Sequence, residues 1–297
     1  MNSQVITTLC EEFIRGGKGY DLAPLVQGRQ YVVAYIPATS YFSDIGRYVE
    51  TKVFSSVFEL PEEEVMADYG KYDDGSTFAC VIDVSSDVPT PAGCLRIVEY
   101  VDGLGFKDVN DLVADSADNP WLDEIKDEHF RAGERYAPDV AWGRICRSAN
   151  LNPDLSSSLD IATHASVDEY RGVRGKIDGV SMLFYHACLR YALAHQKDSL
   201  LAIFDLKPFE NLQQFGNPFS THTGLTPHPY GGPYDTIPAY LIIPEGLKRM
   251  YEHNSAVGRV FEYGEGLNHI ALLPNEYEPD LFSDEAVGLK SVPDKGA

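Results

Sequence analysis

Between Asp160 and Asp205 the chain sets residues that can move a proton beside residues that can hold an anion. His164 ordinarily titrates near neutral pH and can accept a proton there. Asp160 precedes it by four residues in Leu159–Val167, which reads as a strand. If that strand is half buried, alternation puts Asp160, Ala162, His164 and Ser166 on one face, and Ile161, Thr163, Ala165 and Val167 on the other. Asp160 and His164 then stand about 13 Å apart along an undistorted strand, too far for direct contact unless a bulge shortens the gap. His164 is the expected base, with Asp160 orienting it or acting through water, because Asp160 needs its pKa raised by several units to do the same work. The turn that follows carries Arg171, Gly172, Val173, Arg174, Gly175 and Lys176. Placed at a helix start, it offers free backbone N–H groups and added positive charge, a combination that binds anions.

These groups need a frame. From Ile177 to about His195 the apolar residues outnumber one stripe, so the expected helix is buried on most sides. His186, Arg190 and His195 interrupt the run, which falls short of the ~18 consecutive apolar residues of a membrane span. Ser199–Asp205 reads as a second strand. Strand, crossover helix and strand in that order imply two parallel strands in one sheet.

The run Asp160-Ile-Ala-Thr-His-Ala-Ser-Val-Asp-Glu-Tyr-Arg-Gly172, then a helix and a short apolar strand, resembles the core of the GNAT superfamily of acyl-CoA N-acyltransferases. In that family the turn holds the pyrophosphate of coenzyme A, with a Gln/Arg-x-x-Gly-x-Gly/Ala pattern. Here Arg174 and Lys176 stand where counting from Arg171 places glycines. The resemblance makes residues 171–176 the donor-phosphate site and makes Asp160 and His164 the groups that assist deprotonation of an amine.

Earlier segments extend the likeness. Arg47 on an early helix, Asp68-Tyr-Gly-Lys-Tyr-Asp73, and a hairpin whose second strand carries Gly93-Cys-Leu-Arg96 follow the layout of acyl-homoserine lactone synthases and long-chain N-acyl amino acid synthases. Carried over, Arg47, Asp68, Asp73 and Arg96 group at the acceptor side, with Gly70 where the family has a further acid. Arg96 and Asp73 are expected to be exposed polar groups. The family's thiolate-protonating Tyr corresponds to Leu212, so that acid is absent or supplied elsewhere; Tyr230 and Tyr234 are the candidates, in a loop rich in Pro and Gly that either lines the acyl site or merely connects.

The chain has 297 residues, 44% of them hydrophobic, and a formal net charge of −21, which argues against broad contact with nucleic acid or anionic membrane. Cys10, Cys80, Cys94, Cys146 and Cys188 lack metal-type spacing and are expected to be reduced, which points to the cytoplasm and to no metal. No apolar stretch of secretory type is expected at the start.

Further elements follow from pattern: helices from Ser3, Ser43, Pro61, Lys207 and Pro244, and strands at Gln30–Ile36, Ser76–Val84, Gly93–Tyr100, Val140–Cys146, Ile237–Ile243, Arg259–Tyr263 and His269–Leu273. The expected fold is α/β: a GNAT-type mixed, twisted sheet flanked by helices over residues 30–274. To it are added a helical extension at 1–29, an insertion of two short helices at 102–138, and an acidic mobile tail at 275–297. The expected function is transfer of an acyl group from acyl-CoA or acyl carrier protein to a small-molecule amine, with coenzyme A or phosphopantetheine arriving as part of the donor. The alternatives are an aminoacyl-tRNA donor, or a non-catalytic small-molecule-binding protein of the same fold. Acyl chain, acceptor and oligomeric state are left open.

Overall fold

The computed structural model describes residues 2–16, 30–113, 120–121, 124, 151–152, 154–167, 170, 180–216, 218–222, 225–230, 234–265 and 269–272. Helix α1 (Ser3–Gly16) precedes strand β1 (Tyr31–Pro37), and α2 (Asp44–Phe58) and α3 (Glu62–Gly70) lead to the hairpin β2 (Ser76–Asp83) and β3 (Thr90–Val98). Then come α4 (Lys107–Val113), β4 (Ser158–Ser166), α5 (Val180–Ala194), β5 (Ser199–Asp205) and α6 (Leu206–Gln213). Two short strands, β6 (Ser220–Thr221) and β7 (His228–Pro229), precede β8 (Asp235–Ile242), α7 (Ile243–His253), α8 (Ser255–Tyr263) and β9 (His269–Leu272).

The strands form one sheet in the order β6-β8-β5-β4-β3-β2-β1-β9, with β7 also paired to β8. Pairing is antiparallel except at β1 with β9 and β4 with β5. This is the expected mixed, open sheet flanked by helices: an antiparallel run leads to β4, which α5 joins to a parallel β5.

The burial pattern explains the layers. Strand β2 is buried at every position, as a strand covered on both faces must be. On one face Ile6, Leu9 and Phe13 of α1 and Ile45, Val49 and Val53 of α2 pack on Ala34, Phe78, Cys80 and Cys94. On the other, α5 packs on Val33, Ala79, Leu95, Ile97 and Leu159, joined by Met250 of α7 and Phe261 of α8. As its apolar excess predicts, α5 is buried almost all round. Cys10, Cys80, Cys94 and Cys188 are buried free thiols, and burial pushes Cys10 up to about 12. No described helix is long and apolar enough to cross a membrane.

Gly93 sets how closely α5 approaches the sheet. A Cβ there would come 2.6 Å from Cζ of Phe184 and 2.8 Å from the carbonyl oxygen of Ala165. Gly93→Ala is therefore expected to cost about 1–3 kcal/mol in urea denaturation, the usual penalty of overpacking. A cost below ~0.5 kcal/mol, the range of neutral surface changes, would show that α5 can retreat freely.

One element corrects the sequence reading. Arg259–Tyr263, expected as a strand, is the second half of α8. Asn254 caps that helix by accepting from the Ala256 N–H, and Gly264 closes it in the left-handed region at φ 69°. The caps override the local β-branched and aromatic signal. Strand Val140–Cys146, the turn Arg171–Lys176, the tail, and most of the insertion beyond α4 lie outside the described residues.

Candidate functional site

Strands β4 and β5 pair only from Ser158, Leu159 and Asp160 to Ser199, Leu200 and Leu201. The hydroxyls of Ser158 and Ser199, 2.6 Å apart, pin that short contact. Beyond it the strands part around a cleft of about 650 Å³, a volume in the range of small-molecule sites. Residues 161–164 and Ser166 edge it on β4, and residues 202–205 on β5. Val53, Phe54, Val57 and Phe58 of α2 give it an apolar wall; Lys107, Asp108 and Asp111 of α4 give it a polar one. Tyr230 and Tyr234 line it as well.

The two expected proton groups are separated by a bulge. Arg96 pairs with Thr163 and Ile97 with Ile161, which leaves Ala162 as an extra residue in β4. The extra residue reverses the alternation. Ile161 faces α5, whereas Thr163 turns to α2, where its hydroxyl donates to Glu50 at 2.9 Å. His164 consequently faces α5, and Asp160 faces α4. Their expected placement on one face is corrected: they lie on opposite faces.

His164 stacks on Tyr185, ring centres 5.6 Å apart, and meets the edge of Phe184 at 5.0 Å. Its Nε2 has no hydrogen-bond partner among the described residues. It lines both the cleft and a small apolar cavity of about 30 Å³ walled by Cys188, Leu189, Met250 and Phe261. Desolvation pulls its pKa down to about 4, so the expectation of titration near neutral pH is corrected too. At pH 7 it is a neutral imidazole able to accept a hydrogen bond.

Asp160 is fully buried, and its Oδ2 accepts the Asp108 N–H at 2.9 Å. Burial pushes its pKa up to about 7. Asp108 in turn accepts the Ile203 N–H at 2.7 Å. Burial first, then the Asp160 charge, push Asp108 well above the carboxylate range. Lys107 bonds Asp111 at 2.6 Å and Asp68 at 3.2 Å, and lies 4.6 Å from the Tyr69 ring centre. Burial alone would lower Lys107, but Tyr69, Asp111, Asp68 and Asp108 hold its ammonium well above the usual range. Burial likewise opposes ionisation of Asp68, yet Lys107 and Lys71 keep it below its ordinary value.

The four residues expected at the acceptor side divide. Arg47, Asp73 and Arg96 form one network: Arg47 donates to Asp73 at 2.6 Å and Arg96 donates to Asp73 at 2.9 Å. Arg96 also makes two bonds to Glu50, at 3.0 and 2.7 Å, and its guanidinium lies 4.4 Å from the Phe78 ring centre. Only 1% of Arg96 is exposed, which corrects the expected surface position. Asp68 instead joins the Lys107 cluster, and none of the four is part of the cleft lining.

Tyr230 packs on Trp121 at 5.0 Å, and burial holds its phenol protonated well above the usual range; Tyr234 is 57% exposed. Leu212 is buried in the core. Sequence reasoning missed Glu50, Lys107, Asp108 and Asp111. The available signal was Lys107 standing directly before Asp108 and four residues before Asp111 at the start of an acidic, weakly periodic segment, where a lysine needs acidic partners.

No protein-family model and no curated protein matches the chain. Among solved structures, the N-acyl amino acid synthase FeeM from uncultured soil microbes is 12% identical, over 76% of this chain and 96% of that one, at a TM-score of 0.48. The acyl-homoserine lactone synthase LasI is 12% identical over 80% of this chain and 96% of that one, at 0.46. The CoA-dependent acyl-homoserine lactone synthase BjaI, with SAM and isopentyl-CoA, is 10% identical over 88% and 98%, at 0.46.

Proposed function

We propose that this protein is an N-acyltransferase, moving an acyl group from a thioester donor to the amine of a small molecule by direct attack. The observation that supports this reading is the early parting of β4 and β5 around a cleft with one apolar wall and one polar wall. A thioester laid between diverging strands meets edge amides that can polarise its carbonyl. The apolar wall suits an acyl chain and the polar wall an amine. His164, neutral at pH 7 and with Nε2 buried and unbonded among the described residues, accepts a hydrogen bond from the attacking amine and aims its lone pair. Tyr230 and Tyr234 border the same cleft and are proposed to contact the substrates. Arg171, Gly172, Val173, Arg174, Gly175 and Lys176 are proposed to hold the donor phosphates, on the sequence resemblance alone.

The test is release of free thiol from a series of acyl-CoA and acyl carrier protein donors, with amino acids and polyamines as acceptors. Amine-dependent release from at least one donor is expected, together with a fall of about 10²-fold in kcat for His164→Ala. Because the imidazole pKa is about 4, the limb of the kcat profile that depends on His164 should lie near that value rather than near 6.5. Retention of acyl-CoA or its acyl product without thiol release from any donor would instead favour the binding-protein reading.

A further inference from the structure

Where β4 and β5 part, a pair of carboxyl groups joins them. Asp108, the second residue of α4, donates its backbone N–H to Asp160 on β4 and accepts the Ile203 N–H of β5 on its own Oδ2. The two carboxyls are close enough for each to act on the other's ionisation. Asp160 is fully buried and Asp108 is 5% exposed. Two acids in contact, away from water, cannot both ionise cheaply. Oδ1 of Asp160 finds no conventional donor among the described residues. A proton on Asp108 relieves both difficulties at once.

The groups that act on the pair do not remove this proton. Lys107 and Asp111 come from α4, Tyr69 from α3, Tyr72 from the turn before β2, and Tyr230 from the segment before β8. The ammonium of Lys107 is engaged by Asp68 and Asp111. Of the two carboxyls, Asp108 lines the cleft and Asp160 lies behind it.

We propose that Asp108 and Asp160 share one proton, and that Asp108 delivers it to the leaving sulfur in the cleft. The inference rests on the acyl-transfer reading above. The neutral amine adds to the thioester carbonyl. As the C–S bond breaks, its electron pair stays on sulfur and takes the Asp108 proton, giving a free thiol. The doubly ionised pair then takes the proton that nitrogen gives up as the amide forms. No proton is gained or lost over the cycle. Asp108 thus fills a role closed to Leu212, which has no proton to give.

Two readouts on the full-length protein decide this. Infrared spectroscopy of the wild type from roughly pH 5 to 9 should show the C=O stretch of a protonated, buried carboxyl that persists at pH 7 and is lost in Asp108→Asn. The amide matches the carboxyl in shape and can still accept from Ile203, yet has no acidic proton. In the thiol-release assay Asp108→Asn should lower kcat about 10²–10⁴-fold with an alkyl thioester, leaving KM nearly unchanged. With an aryl thioester, whose thiolate leaves without protonation, most of that loss should disappear, a difference that a merely structural role would not produce. Absence of the band in the wild type at pH 7 overturns the shared proton, and equal losses on alkyl and aryl donors overturn the delivery. If no thioester reacts, the transfer reading fails and delivery with it, while the wild-type band, which needs no variant, still decides whether the pair holds a proton.

Discussion

Arg96→Ala is expected to cost about 3–5 kcal/mol of folding stability, the range found when one partner of a buried ion pair is removed. Arg96 and Glu50 each expose only 2% of their side chains, and Glu50 would keep Thr163 as its remaining side-chain donor among the described contacts. The loss is large because a charge left in a low-dielectric interior forfeits its hydration as well as its partner. Asp73→Ala should cost less, since that carboxyl is 25% exposed and water can replace it. Urea denaturation of the two variants checks the order, and an Arg96 variant within about 0.5 kcal/mol of wild type would place the guanidinium in water. The double variant Arg96→Met with Glu50→Leu should recover much of the loss, because replacing both members removes the orphaned charge. Whatever these residues do for an acceptor, they first hold α2 to β3.

Stability should also fall in acid through two histidines. His164 and His222 both have their pKa pulled from 6.5 to about 4 by desolvation. A group whose folded pKa is depressed in this way favours its neutral form in the native state. Its contribution is therefore complete above pH 6.5 and is lost as pH falls through about 4, and each fall is worth roughly 3 kcal/mol at 1.36 kcal/mol per pH unit. Asp160 acts in the opposite sense. Raised to about 7, it contributes stability below its ordinary value of 3.8 and loses it as pH rises through 7. The wild-type profile mixes these opposed effects, so difference measurements separate them. The stability gap between wild type and His222→Gln should widen by roughly 3 kcal/mol from pH 4 to pH 6.5. His222 is 3% exposed and lies 5.0 Å from the Tyr240 ring, away from the cleft lining, which keeps this test free of catalysis. A gap that stays constant with pH would show a histidine already protonated in the native protein.

The frame was legible where the signal was strong and local. The apolar excess of α5, bounded by two short strands, gave the parallel pair and its crossover directly. Capping was weaker evidence but was available at α8: Asn254 and Gly264 outweigh the Val, Phe and Tyr between them. What stayed hidden depends on contacts far apart in the chain. The burial of Arg96 follows from Glu50, 46 residues earlier, and nothing local to β3 announces that partner. The shifted acids of the site follow from Asp108 meeting Asp160 across 52 residues. Residue type marked His164 and Asp160 as titratable, but their pKa values move in opposite directions from ordinary ones because both are desolvated. Burial of that kind is a property of the assembled layers and cannot be read from either residue.

Ala162 acts on β4 as a frameshift acts on a message. Every residue before it is read in one phase and every residue after it in the other, although no side chain is changed. The chemistry of Thr163 and His164 is thus assigned by counting rather than by composition: threonine reaches Glu50, and imidazole reaches the cleft. Single substitutions preserve the count, so they can remove a group from its face but cannot exchange the two faces. Only a change in the length of the strand rewrites the assignment, and it rewrites all positions to one side of the change together.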